Sequence, residues 1–287
     1  MKLRSNIEVR RARPLLGTFV EIAAQGNNDA KLRRAIDEAF DAIHRVHQLM
    51  SYHDPESDVS RINRHGFPRG VVVHEWTWQV LKAAHEFARE SRGAFDITVA
   101  SLLANWNYLP RIGSRFGWKG VWRDIFLRKN CKVFCRRPVI IDLGGIAKGF
   151  AVDRAVQALQ RAGVSSGIVN AGGDLRAFGS TSREVHLRNP ISPAQFSGML
   201  CLRNRAVATS AAYFSRRALV DGQTRRAMNR RISVTVAAKD CMTADALTKI
   251  VFALREKAAP LLKRYRADAL IFERDGARGW IFQAHAA

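Results

Sequence analysis

Acidic side chains are scarce in this chain of 287 residues, where 25 Asp and Glu stand against 47 Lys and Arg for a formal net charge of +22. That surplus suits anionic partners, whether a dinucleotide, RNA or an acidic membrane surface, and it equally suits a solvated surface without a partner. Cysteine is sparse as well. Cys131, Cys135, Cys201 and Cys241 show no CxxC spacing and no secretory context. A disulfide framework is therefore not expected, and reduced thiols in the cytoplasm are. No run of about 18 apolar residues occurs, which excludes a transmembrane helix. Neither GxGxxG nor GxxxxGK followed by Ser or Thr is present, so Rossmann and P-loop assignments fail. Internal repeats and low-complexity segments are absent.

What is present begins with the run from Asp142 to Leu159, DLGGIAKGFAVDRAVQAL. Val139, Ile140 and Ile141 predict a buried strand that ends in a carboxylate, turns on Gly144 and Gly145, and enters a helix with Lys148 in its first turn. Two glycines, a helix N-terminus and a mobile cation together suit a phosphate. Elsewhere Leu32, Ile36, Ala39, Phe40, Ile43, Val46 and Met50 recur at helical spacing, with His44 and His47 expected on the same face as structural histidines. A second helix is predicted from Thr77 to Ser91, ended by Gly93. Between Asn105 and Arg137 periodicity fades, and an insertion folded over the core is expected. Further strands are predicted at Thr18–Ala24, Gly167–Ala171, Leu200–Ala208, Ile232–Ala238, Ala269–Glu273 and Trp280–Phe282, with helices from Ala244 to Arg255 and beyond. Strands and helices so mixed argue for α+β or mixed α/β packing.

The Asp142 run and five other segments, in order, resemble the motif series of the ApbE family, the FAD:protein FMN transferases. The others are PLLGTFVEI (Pro14 to Ile22), MSYHDPESDVSRIN (Met50 to Asn63), GAFDITVASLL (Gly93 to Leu103), IVNAGGDLRAFG (Ile168 to Gly179), and the pair VATS and SVTVAA…ADALTKIVF. The resemblance implies a T-fold-like core of two intimately packed lobes with the ligand in a groove between them. It implies one catalytic unit over residues 13–287, preceded by a basic extension over 1–12. It also implies Mg²⁺-dependent transfer of FMN from FAD to a Thr or Ser of an acceptor flavoprotein with release of AMP, and no nucleic-acid partner. FAD hydrolysis to FMN and AMP, or silent flavin binding, are the alternatives. Flavin contacts are implied for Leu16, His53, Ala94, Phe95, Asp96, Asp142, Lys148 and Val220. The metal is assigned to the Gly145 carbonyl, Asp245 and Thr248, hard oxygen donors of the kind Mg²⁺ takes.

Four departures from the family pattern stand out. Leu16 replaces a methionine and His53 a tyrosine. The family's Asp-x-x-x-Thr reads here Asp245-Ala246-Leu247-Thr248-Lys249, so the threonine has moved and a lysine holds its place. Thr248 is expected to reach the ion, or Lys249 to supply charge directly. Finally, the family's His-Ile-Ile-Asp aligns with Ala218-Leu219-Val220-Asp221. With the imidazole lost, Asp221 is the nearest candidate base, beside Lys148 and Asp245 as the other catalytic candidates.

Overall fold

The computed structural model describes residues 7–112, 120–188, 192, 195–211, 219–228 and 232–273, with the backbone alone for Ser197 and 278–282. The chain opens with a hairpin. Strand β1 (Ile7–Leu15) returns as β2 (Thr18–Gly26) through Leu16 and Gly17, both at positive φ (56° and 70°), a turn whose twist matches that of paired strands. Residues 7–12 are therefore sheet rather than an appendage, paired with β2 from Ile7 opposite Gly26 onward.

The Asn28 side chain accepts the Lys31 N–H and starts helix α1 (Asp29–Met50), whose buried stripe includes Leu32, Ile36, Phe40, Ile43 and Val46. His44 and His47 lie off that stripe and are exposed, a correction that follows from their offset of one residue from Ile43 and Val46. The Ser57 hydroxyl then caps α2 (Asp58–His65) by accepting the Ser60 N–H at 3.0 Å. The Asp58 carboxylate instead reaches forward, accepting from the His74 N–H and the Thr77 hydroxyl at 2.8 and 2.7 Å. Strand β3 (Val71–Val72), α3 (Glu75–Glu90) and α4 (Ala100–Asn105) follow. The weakly periodic region contains a hairpin, β4 (Ile125–Arg128) and β5 (Lys132–Cys135), which joins β3 in a small sheet.

Helix α5 (Ala147–Arg161) leads to β6 (Ser166–Ala171) and β7 (Asp174–Gly179), then to β8 (Arg183–Arg188), β9 (Phe196–Leu202) and β10 (Ala206–Ala211). The stretch from Leu200 to Ala208, expected as one strand, is thus divided between β9 and β10, because Asn204 at positive φ turns the chain between them. Short strands β11 (Val220–Asp221) and β12 (Arg226–Ala227) precede β13 (Ser233–Ala238). Helix α6 (Cys241–Leu254), α7 (Ala259–Tyr265), β14 (Asp268–Phe272) and β15 (Arg278–Phe282) complete the chain.

Eight strands form one antiparallel sheet in the order β1-β2-β6-β7-β10-β13-β14-β15, so the molecule is mixed α/β. Helices α1, α5 and α6 pack on one face of it. Their contact buries Phe40, Ile43, Leu159, Leu247 and Phe252 almost completely, each contributing about 1.5–3 kcal/mol on the usual transfer scale. The β8–β9 hairpin covers part of the other face through Leu202, Leu200 and Val185 against Leu175, Val207 and Ala237. Gly149 sits where α5 crosses α6; a Cβ there would lie 2.3 Å from the Cys241 carbonyl oxygen, so only glycine permits the approach.

Candidate active site

The segment 139–141 is buried but belongs to no sheet, contrary to the expected strand. A side chain replaces the missing neighbour. The Asn63 amide donates to the Ile141 carbonyl at 3.0 Å and accepts the Ile141 N–H at 2.7 Å, while the Asp142 N–H reaches the Ile97 carbonyl at 3.0 Å. Three sequence motifs are thereby joined at one point. The Asp142 carboxyl is pushed upward by burial, against the Gly144 and Leu143 N–H groups and the nearby His53. Tyr52 beside it is buried, donates to the Pro110 carbonyl at 3.0 Å, and has its phenol pushed up to about 12 by burial and by Asp142. His53 is exposed and shares a hollow of about 260 Å³ with Tyr52 and Pro110.

Four charged side chains meet one turn further on. Lys148, in the first turn of α5, places its ammonium 2.8 Å from the buried Asp174 carboxylate. Lys249 on α6 pairs with Asp245, four residues earlier on the same helix and fully buried. The other Asp245 oxygen accepts the Gly149 N–H at 3.2 Å. Burial and the facing Asp245 raise the Asp174 carboxyl, with Lys148 and Lys249 opposing. Burial alone would lower the Lys148 ammonium, but Asp174 and Asp245 outweigh it and the net shift is upward. Helix α6 begins at Cys241, capped by Asp240, rather than at Ala244. Asp245 and Thr248 are therefore beyond its first turn, and it is the first turn of α5 that the Asp245 carboxylate caps.

This donor set does not fit a divalent ion. Both Asp245 oxygens are engaged, and the buried Thr248 hydroxyl donates to the Asp245 carbonyl at 2.7 Å and lies 2.7 Å from the Ser210 hydroxyl. Gly145, the third expected donor, is adjacent, since a Cβ on it would lie 3.7 Å from the Lys249 Cε and 3.5 Å from the Phe95 ring. Among the described residues no cluster of three or more His, Cys, Asp or Glu side chains forms a metal site.

The tripeptide Ala94-Phe95-Asp96 is buried. Phe95 packs against Phe87 and behind Gly145. Asp96 caps a short turn by accepting the Thr98 N–H and hydroxyl, each at 2.8 Å, and it receives the Arg225 guanidinium at 3.3 Å. Burial raises its carboxyl, with Arg225 acting against the rise. The Gly222 N–H and the Gln223 amide dock the 219–228 loop onto the carbonyls of Ala94, Ser91 and Arg92 at 3.1 Å each. Asp221, expected as a base, spends its carboxylate in its own turn, accepting from the Gln223 N–H and the Thr224 hydroxyl at 2.9 Å each. Val220 is buried on β11, whereas Leu16 is half-buried in the hairpin turn. Ala218 lies outside the described residues.

A groove of about 1270 Å³ is lined by the β8–β9 hairpin together with Phe19, Asn170, Gly144, Lys148, Ser210 and Lys249. Asp174 and Asn63 are the residues that the sequence reading missed. Asp174 stands in the quoted AGGD run, directly after the positive-φ pair Gly172 and Gly173, and that position was its available signal. Asn63 closes its motif without any local pattern that marks a partner so distant in sequence.

The ApbE family model matches residues 16–271. A FAD:protein FMN transferase of Vibrio cholerae is 29% identical over 87% of this chain and 82% of its own, and one of Klebsiella pneumoniae is 25% identical over 89% and 86%. The crystal structure of an ApbE protein from Thermotoga maritima superposes with a TM-score of 0.81 at 30% identity, covering 96% of each chain. Fold and relatives together define an enzyme of the transferase class. Within that class, this chain belongs to the ApbE family.

Proposed function

We propose that this chain transfers the FMN half of FAD to a Thr or Ser hydroxyl of an acceptor protein and releases AMP. The observation that carries the reading is Lys148, an ammonium fixed by a buried carboxylate and lining a groove large enough for a dinucleotide. The names of the relatives supply the flavin. Asp142, His53 and Tyr52 form one flank of the site, while the phosphates lie toward Lys148 and the Gly144–Gly145 turn. The acceptor oxygen bonds to the phosphorus of the FMN half as the bridging P–O bond to AMP breaks, and the hydroxyl proton passes to a base. Lys148 offsets the charge that develops on the phosphate oxygens. Mg²⁺ has no step here, because the donor set does not fit it.

No helix among the described residues is long and apolar enough to cross a membrane. Four free thiols support a cytoplasmic setting. Incubation with FAD and acceptor peptides tests the reading, with AMP followed by chromatography and the peptide by mass. An FMN adduct with stoichiometric AMP is expected. Release of AMP without an adduct would mean that water is the acceptor, and absence of both AMP and FAD binding would overturn the reading.

A further inference from the structure

We infer that Lys249 stands in this chain where the family resemblance implies a divalent cation, so that FAD binding and turnover need no metal ion; the flavin part of this inference rests on the function proposed above. Lys249 lies one helical turn beyond Asp245 on α6, and its ammonium sits on the Asp245 carboxylate. Its stem runs beside Gly145, and Lys249 itself lines the groove. A second pair, Lys148 with Asp174, lies against the first: the Asp174 carboxylate feels Asp245 and Lys249, and the Lys148 ammonium feels Asp245.

Two carboxylates and two ammonium groups balance, which leaves both lysines able to face an anion without an unpaired acid beside it. Mg²⁺ would have to displace an ammonium from a buried carboxylate and then sit next to that released cation. Magnesium also requires near-octahedral oxygen ligation, and the hydroxyl nearest to Asp245 is already bonded inward. A lysine ammonium is itself an established phosphate partner, acting as a point charge on a tether. The threonine that Lys249 displaces could not have done this, being neutral.

Manganese binding to the flavin-free protein, followed by electron paramagnetic resonance, reads the site without reference to activity. Calorimetry with FAD in EDTA and again in excess Mg²⁺ reads the ligand. For the unaltered protein we expect no stoichiometric Mn²⁺ binding, and FAD dissociation constants that agree within about twofold in the two buffers. Lys249→Thr, which frees the Asp245 carboxylate and restores a hydroxyl at the fourth place, should gain Mn²⁺ binding and tighten FAD about tenfold when Mg²⁺ is added. Should that variant fail to fold by circular dichroism, Lys249→Met serves, with weakened FAD binding in EDTA expected. Stoichiometric Mn²⁺ binding by the unaltered protein, or FAD binding lost in EDTA, overturns the inference and leaves the flavin reading intact. No FAD binding in either buffer removes the flavin reading, while Mn²⁺ still decides whether Lys249 excludes the ion.

Discussion

At the level of single residues, Asn63 shows how one amide can substitute for a strand. It satisfies the N–H and the C=O of Ile141 together and so fixes the chain immediately before Asp142. Asn63→Leu leaves both buried groups unpaired, at about 1–3 kcal/mol for each. Urea denaturation should reveal a loss of that order, accompanied by weaker FAD binding, and an unchanged midpoint would show that the segment finds other partners. Lys148 serves ligand and fold together, since its loss would also leave the buried Asp174 carboxylate unpaired. Lys148→Ala should weaken FAD affinity by about 1.5–3 kcal/mol, the range for a charge-assisted contact to an anion. Titration calorimetry giving the wild-type constant would place the phosphates elsewhere. At this scale the neighbourhood of Gly145, Lys148 and Asp245 was legible, since the three lie together beside Lys249. The hydrogen bonds that Asp96, Asp221 and Thr248 make within their own turns were not, because a carboxylate or hydroxyl bonded locally reads in sequence like any other.

Among the elements, the long amphipathic helices were readable because burial imposes a period that local sequence must carry. Strands β4 and β5 were hidden by length, four residues each being too few to show alternation. Extended segments mislead in another way, as 139–141 shows: β-branched residues report burial and extension, whereas strand pairing depends on what lies alongside. The crossing of α5 and α6 rests on Gly149, and Gly149→Ala should cost about 1–3 kcal/mol as the helices part. A melting curve measures it, and wild-type stability would mean that the α6 backbone yields freely. At the start of β4, Asp124 is buried. Burial raises its carboxyl, but the Val121 N–H and the guanidinium groups of Arg136 and Arg137 outweigh that and hold it below the ordinary 3.8. Its stabilisation is therefore fully present above that value and lost as pH falls through the depressed native value. Asp124→Asn should lower stability at neutral pH and flatten the acid limb of the stability profile below about pH 4, as acid-titrated fluorescence would register. An acid limb identical to the parent's would remove Asp124 from the account.

For the whole molecule, charge is the property that no single pair explains. With a net +22, the chain carries a field that would draw in the diphosphate of the proposed substrate, and salt screens such a field over about 10 Å at 0.1 M. FAD association followed by stopped-flow fluorescence should slow several-fold as ionic strength is raised from about 0.05 to 0.5 M, and salt-independent rates would assign the surplus to another role. The four-charge cluster also has a history in time. Lys148 and Asp174 leave the ribosome close together, whereas Asp245 and Lys249 arrive only with α6, after β13 has been made. The Gly149 N–H must wait for an acceptor 96 residues downstream. Such distant closure is slow to form. A growing chain therefore holds Lys148 and Asp174 before their partners on α6 exist, and the four-charge cluster is assembled late, as a property of the finished protein.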